Sequence, residues 1–309
     1  MRWFLLVLIC LALPACNDPP EELRIGANRW LGYGPFYLAD DLQWFEAGQV
    51  RLVEYPNATS VLRAFRNGLL DAALLTLDET LALQASGYDL EIVLVADVSA
   101  GADVVYARPP NKHIQDLRGQ RVGVENTALG AYILARLMSI AELAPEDMEV
   151  VSLPVQEHTE AMRDGRVDAI ITFASEGPAL IELGARRIFD SRDLPGEIID
   201  VLVVDRERVD RRRRQALRSL WYESLQAWVN TPSLADEALQ RRLGLNAASL
   251  EMTRDGLIFG DRPLNQRLLD NAELLDSLRR VQRYMLQHGL LEDRRDVQAL
   301  MPTCGRASC

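Results

Sequence analysis

The apolar and polar positions of this chain follow one pattern twice. "AFRNGLLDAALLT" (64–76) and "AMRDGRVDAIIT" (161–172) share Ala, Arg, Asn or Asp, Gly, an Asp-Ala pair and an apolar run. Gly68 and Gly165 are 97 positions apart, as are Asp71 and Asp168. "RIGA" (24–27) and "RVGV" (121–124) keep the same spacing. A fixed period of this kind marks two copies of one structural unit.

Each copy predicts the order β-α-β-α-β. The first strand leads into Leu31-Gly32 or Leu129-Gly130, then into helical patterns over 35–46 and 130–143. Second strands follow at 50–55 and 149–154, then a helix that stops at the repeated Gly. Glycine suits that place because the backbone turns left-handed just past a helix end. The third strands, Ala72–Leu75 and Ala169–Ile171, are apolar without alternation. Such runs fit parallel strands covered on both faces. The pattern therefore predicts two α/β lobes, each with a mainly parallel sheet flanked by helices. The repeated Arg, Gly and Asp read as helix stops and strand starts, not as catalytic groups.

Residues 91–97 predict a further strand, and 101–108 an apolar segment leading to Pro109-Pro110-Asn111. Residues 197–207 form a long apolar strand that can carry the chain back. The remainder is helical in pattern over 211–230, 234–243, 263–288 and 293–300. These helices have no counterpart in the second copy and are expected on the first lobe. Lobe one is thus placed at 23–105 and 205–301, lobe two at 106–204, and a tail at 302–309. Crossings near 103–110 and 198–206 would form a hinge.

In such sheets ligands sit beyond the carboxyl ends of the strands. Two facing lobes put those ends on one cleft. The candidates after the first strand are Asn28, Arg29, Trp30 and Tyr33 in lobe one, and Glu125, Thr127 and Ala128 in lobe two. After the third strands come Thr76 and Asp78, and Ser175 and Glu176; the crossings add Asp103 and Asp200. Thr127 opens a helix whose free N–H groups can hold an anionic oxygen; its hydroxyl can equally cap that helix. Trp30 and Tyr33 can stack on a flat ligand or pack inside the lobe. Arg29 is the one clear base among many acids. That lining favours a ligand with an amine or ring N–H donors over a bare anion.

Met1-Arg2 precedes an apolar run, Trp3–Leu13. It is too short to span a bilayer, which takes ~20 residues, and fits the core of a secretory signal over 1–15. "LPAC", Leu13 to Cys16, resembles the bacterial lipobox. That resemblance implies an acylated Cys16, a lipidated tether over 16–22, and a periplasmic protein held on the inner or the outer membrane. Cys304 and Cys309 are expected either as a disulfide closing the tail or as two free thiols.

A net charge of −11 excludes nucleic acid as a partner. The run Arg211–Arg214 reads as a solvated helix face. His113, His158 and His288 lack metal-ligand spacing, and Lys112 is the only lysine. No metal, cofactor or enzymatic activity is expected.

"RIGANRWLGYGPFYLADDLQWF", "VEYPNATSVLRAFRNGLLDAALLTLDE", "RVGVENTALGAYILARL" and "EHTEAMRDGRVDAIITFASEGPALIELGARRIFDS" together resemble the substrate-binding proteins of nitrate, sulfonate, taurine and thiamine-precursor ABC importers, the SsuA/THI5-like and NMT1-like family. The resemblance spans about 23–230. It implies a two-lobed periplasmic binding protein of type II, acting as a monomer. Such a protein closes about a hinge on a small sulfonate-like, nitrate-like or pyrimidine-like ligand and delivers it to an ABC permease. A sensor of the same fold, signalling to a receptor or cyclase, is the alternative.

Overall fold

A computed structural model describes residues 22–45, 49–270 and 273–302. Cys16, Cys304 and Cys309 lie outside these residues, with the signal, most of the tether and the tail. Both copies fold in the expected order. The first contains β1 (Leu23–Asn28), α1 (Gly34–Asp41), β2 (Val50–Tyr55), α2 (Ala58–Arg66) and β3 (Ala72–Thr76), followed by α3 (Leu77–Ala85) and β4 (Leu90–Ser99). The chain then crosses to the second lobe through β5 (Asp103–Ala107). The second copy follows as β6 (Arg121–Val124), α4 (Ala128–Ala141), β7 (Glu149–Ser152), α5 (His158–Arg163) and β8 (Ala169–Phe173), then α6 (Gly177–Glu182) and β9 (Arg186–Asp190). It returns through β10 (Ile199–Asp205) to α7 (Arg211–Asn230), α8 (Pro232–Leu243), α9 (Ala247–Asp255), β11 (Leu257–Phe259), α10 (Arg262–Asn265) and α11 (Glu273–Gln287).

The sheets are mixed. The first has the order β11-β4-β10-β3-β1-β2 and the second β7-β6-β8-β5-β9. β1, β2 and β3 run parallel, as do β6, β7 and β8. β10 runs antiparallel to β3 and β4, and β5 runs antiparallel to β8 and β9. In the second sheet the reversed strand, β5, is the one that enters from the other lobe; in the first, β10 enters from the other lobe and the edge strand β11 is reversed as well. This moves the expected boundaries. β5, beginning at Asp103, belongs wholly to the second sheet, and β10, beginning at Ile199, wholly to the first. The crossings are therefore the segments 100–102 and 191–198, ahead of the places expected from the apolar runs. Apolarity shows that a segment is buried, not which sheet buries it.

The repeated residues build one joint twice. In lobe one, Arg24 holds Asp71 through Nε at 3.0 Å and Nη2 at 2.9 Å, while Nη2 also reaches the Gly68 carbonyl. In lobe two, Arg121 holds Asp168 at 2.9 and 2.7 Å and the Gly165 carbonyl at 2.6 Å. Gly68 and Gly165 both have φ of 71°, a left-handed conformation that costs other residues about 1–2 kcal/mol. The Arg–carboxylate fork is bidentate, the strong form of this pair. The paired guanidinium holds both Asp carboxyls below the usual carboxylate range, against the opposing effect of burial.

Each sheet carries a core on both faces. The carboxyl-terminal helices do cover lobe one. Leu217, Trp221 and Trp228 of α7 pack with Phe36 and Tyr37 of α1, and Leu274, Leu278 and Val281 of α11 pack against Leu77 and Leu81 of α3. The helical spacing along 211–230 thus marks a true buried face. Several elements escape the sequence pattern: α3, α6, β9, α9 and the short edge strand β11 beside β4; the helix expected over 293–300 is only a short 3-10 turn, Val297–Leu300. Among the described residues, no helix is long and apolar enough to cross a membrane.

Candidate ligand-binding site

The carboxyl ends of β1, β3, β6 and β8 meet at the junction of the lobes. A small cavity of about 40 Å³ lies there. Lobe one lines it with Asn28, Arg29, Trp30, Tyr33, Thr76 and Glu79, and with Ala58 at the start of α2. Lobe two adds Glu125, Thr127, Leu129 and Phe173, and the two incoming strands add Asp103 and Asp200. Nine of the thirteen residues expected from sequence are thus brought together.

The strand pairing explains why. Asp200 of β10 pairs with Thr76 of β3, and Asp103 of β5 pairs with Phe173 of β8. Thr76 and Phe173 are 97 positions apart, as are Asp103 and Asp200, and Asn28 and Glu125. Trp30 and Thr127 keep the same offset, so the lining contains four pairs of repeat-equivalent positions. The crossing strands obey the repeat too, each inserted into the other lobe's sheet.

Four expected residues lie off the cavity. Asp78 and Glu79 are neighbours in the first turn of α3, where successive side chains point about 100° apart. Glu79 faces the cavity and accepts the Thr76 N–H at 3.0 Å; Asp78 is buried off its lining. Ala128 is the first residue of α4. The Ser175 carbonyl accepts Ser249 Oγ of α9 at 2.6 Å, and Glu176 accepts Thr159 Oγ1 at 2.9 Å. The end of the third strand in lobe two therefore packs beneath a lobe-one helix, and only Phe173 reaches the cavity.

Glycine and aromatic placement shape the wall. A Cβ on Gly32 would sit 1.9 Å from Asp97 Oδ2 and 2.5 Å from Trp30 Nε1. A Cβ on Gly130 would sit 2.2 Å from the Glu125 carbonyl oxygen. The repeated Leu-Gly thus serves close packing beside the site in both lobes. Trp30 meets Phe173 across the junction at 5.3 Å between ring centroids, tilted 54°. Tyr33 donates to Asp200 Oδ1 at 2.5 Å. Thr127 Oγ1 accepts Gly130 N–H at 3.1 Å, so this hydroxyl caps α4.

The acids dominate the electrostatics. Asp78, Glu79, Asp97, Asp103 and Asp200 are each 3 % exposed or less. Asp97 of β4 was not foreseen; it sits beside Asp200 in the register of β4 with β10. Burial is the main cause raising all five carboxyls. Asp103 is pushed up to about 7, opposed by the nearby Ser99 hydroxyl, which accepts the Asp103 backbone N–H at 3.2 Å. Asp78 is pushed up to about 6, opposed first by Thr76. Glu79, Asp97 and Asp200 are raised well above the usual range, and neighbouring acids add to burial in each. The one base of the lining, Arg29, is exposed. His158 lies nearby but is fixed, with Nδ1 at 2.9 Å from Thr172 Oγ1 and Nε2 at 3.2 Å from the Leu153 carbonyl; burial lowers it to about 4.

Contacts on two sides of the cavity hold the lobes together. On one side Tyr132 of α4 donates to Glu197 at 2.7 Å and stands edge-on to Tyr284 of α11 at 5.5 Å. Arg136 pairs with Glu197 at 2.7 Å and lies 4.7 Å over the Tyr284 ring. On the other, α9 bonds to Ser175.

The NMT1/THI5-like family model matches residues 30–231. The chain belongs to the NMT1/THI5-like family. Among solved structures, the periplasmic aliphatic sulphonate binding protein SsuA from Escherichia coli shares the fold with a TM-score of 0.78 at 21% identity, over 94% of this chain and 95% of that one. The alkanesulfonate-binding protein SsuA from Xanthomonas axonopodis pv. citri, bound to MOPS, gives 0.67 at 20% identity, over 88% and 98%. The desulfurization enzyme DSZB gives 0.65 at 17% identity, over 92% and 97%. No curated protein matches the sequence. The fold of this NMT1/THI5-like chain is thus one that also carries an enzyme, and its chemistry rests on its own residues.

Proposed function

We propose that this protein is the solute-binding component of an ABC importer, held at the membrane by a lipid on Cys16. One observation carries the reading: strand ends from both lobes and both incoming strands converge on one small cavity. Closure then makes contacts from both lobes at once, which the open form cannot make. A ligand that bridges the lobes shifts the population toward the closed form by that difference in affinity. SsuA proteins of the same fold are named for binding sulfonates. The acid-rich lining here favours a ligand with N–H donors, such as an aminopyrimidine or a small amine, over nitrate or a bare sulfonate.

No nucleophile–base pair lines the cavity, and its histidine neighbour is hydrogen-bonded on both ring nitrogens, which supports binding over catalysis. The test is a thermal-shift screen of the full chain in detergent against sulfonates, taurine, nitrate, bicarbonate, pyrimidines and small amines. A ligand at ~100 times its dissociation constant adds ~2.7 kcal/mol. At least one compound should raise the melting temperature and reduce the radius of gyration in small-angle scattering. A screen in which no compound does either defeats the reading. Uptake in vesicles holding the permease separates transport from signalling.

A further inference from the structure

We infer that the ligand carries a compact organic cation, an ammonium, amidinium or guanidinium head, bound between Asp103, Glu79 and Asp200 and covered by Trp30, Tyr33 and Phe173. The inference rests on the solute-capture reading above and specifies its substrate class.

The acids alone do not make this case; their lack of partners does. Asp103 of β5 belongs to the lining at 3 % exposure, and both its carboxylate oxygens are buried without a hydrogen bond. Asn28 Oδ1, also of the lining, is buried without a partner. Trp30 Nε1 lies beside Asp97 but makes no well-formed bond with it. Buried polar groups are nearly always paired, and an unpaired buried carboxylate is far costlier than an unpaired amide. Apart from the Trp30 indole N–H and the Thr76 hydroxyl, the unmet groups of the lining are acceptors, and the partner they lack is a donor. Several N–H groups on one positive centre would satisfy Asp103 and Asn28 together.

The walls agree with this chemistry. Aromatic faces attract a cation held within about 6 Å, and Trp30 and Phe173 bring one ring from each lobe. The space of about 40 Å³ holds roughly three water-sized groups. That is the scale of an ammonium or guanidinium head, and a longer ligand would require the lobes to part further. A metal ion fits less well, because among the described residues no group of three or more His, Cys, Asp or Glu is spaced to hold one. The burial that raises the Asp103 carboxyl to about 7 would be offset by a bound positive charge. A cation would thus close the lobes by removing the penalty that the acids impose when they are empty.

The experiment is calorimetric titration of the full chain in detergent at fixed ionic strength. The probes are methylammonium, acetamidinium and methylguanidinium chlorides, then ethanesulfonate, nitrate and calcium. At least one organic cation should bind, and Asp103→Asn and Glu79→Gln should each weaken it at least tenfold. Circular dichroism melts of both variants establish that they fold. Binding of ethanesulfonate or nitrate without any organic cation overturns the inference and leaves solute capture standing. Binding of calcium alone overturns it, as does silence of all three organic cations. Unchanged cation affinity in both folded variants overturns the assigned position.

Discussion

Asp103→Asn should stabilise the protein at alkaline pH and lose that advantage in acid. Asp103 is buried, both its oxygens lack partners, and its carboxyl is raised from 3.8 to about 7. At about 1.4 kcal/mol per pKa unit, that shift corresponds to a cost of about 4 kcal/mol for keeping the ionised form buried. A raised acid contributes its full stability below its unfolded pKa and loses it as pH climbs through the folded pKa. The wild type should therefore lose stability from this residue between pH 3.8 and about 7. Asparagine keeps the shape and removes the charge. Its new amide must find an acceptor, and failure to do so costs about 1–3 kcal/mol. The net gain above pH 7 is then about 1–3 kcal/mol, or a rise of several degrees in melting temperature. Near pH 4 the gain should vanish, because the native Asp103 is neutral there too. The assay is thermal unfolding of both proteins, without ligand, from pH 4 to pH 8. Taking the difference at each pH cancels His158, whose contribution runs the other way. A variant less stable than wild type at pH 8, or a difference that does not change with pH, would refute the placement of an ionisable, unpaired Asp103 in this cavity.

His158, lowered from 6.5 to about 4, holds stability above pH 6.5 that is lost as pH falls through about 4, and about 3 kcal/mol is at stake; His158→Gln should flatten this acid limb in unfolding curves. Arg24→Ala and Arg121→Ala should destabilise by similar, small amounts after solvent screening of these part-exposed pairs, as read by urea unfolding. A large disparity would show that the two joints are not equivalent. Tyr33→Phe removes the donor to Asp200 and should cost about 2 kcal/mol at neutral pH in the same measurement.

The 97-residue period, the helix stops at Gly68 and Gly165 and the buried face of α7 were legible in the chain because they depend on local pattern. So was the position of the site, since strand ends follow from strand order. Asp103 and Asp200 also obey the period, a signal present in the sequence that apolar runs alone did not expose. The edge strand β11 and the loss of Asp78, Ser175 and Glu176 from the lining were not legible. A three-residue strand has too few positions to show a period. Which of two adjacent acids faces a cavity depends on the rotation of α3, set by its packing against α11.

The sequence by itself determined two similar lobes, their secondary structure and a surplus of acids where their strands end. Only the tertiary structure decided that each lobe lends a reversed strand to the other, and that this exchange sets Asp103 beside Phe173 and Asp200 beside Thr76. It also decided that Asp71 and Asp168 meet guanidinium groups while Asp103 meets none. The same residue type is an ordinary ion pair in one place and a raised, unpaired acid in the other. The reason is that desolvation and Coulomb energy depend on distances through space, which neighbours in sequence do not fix.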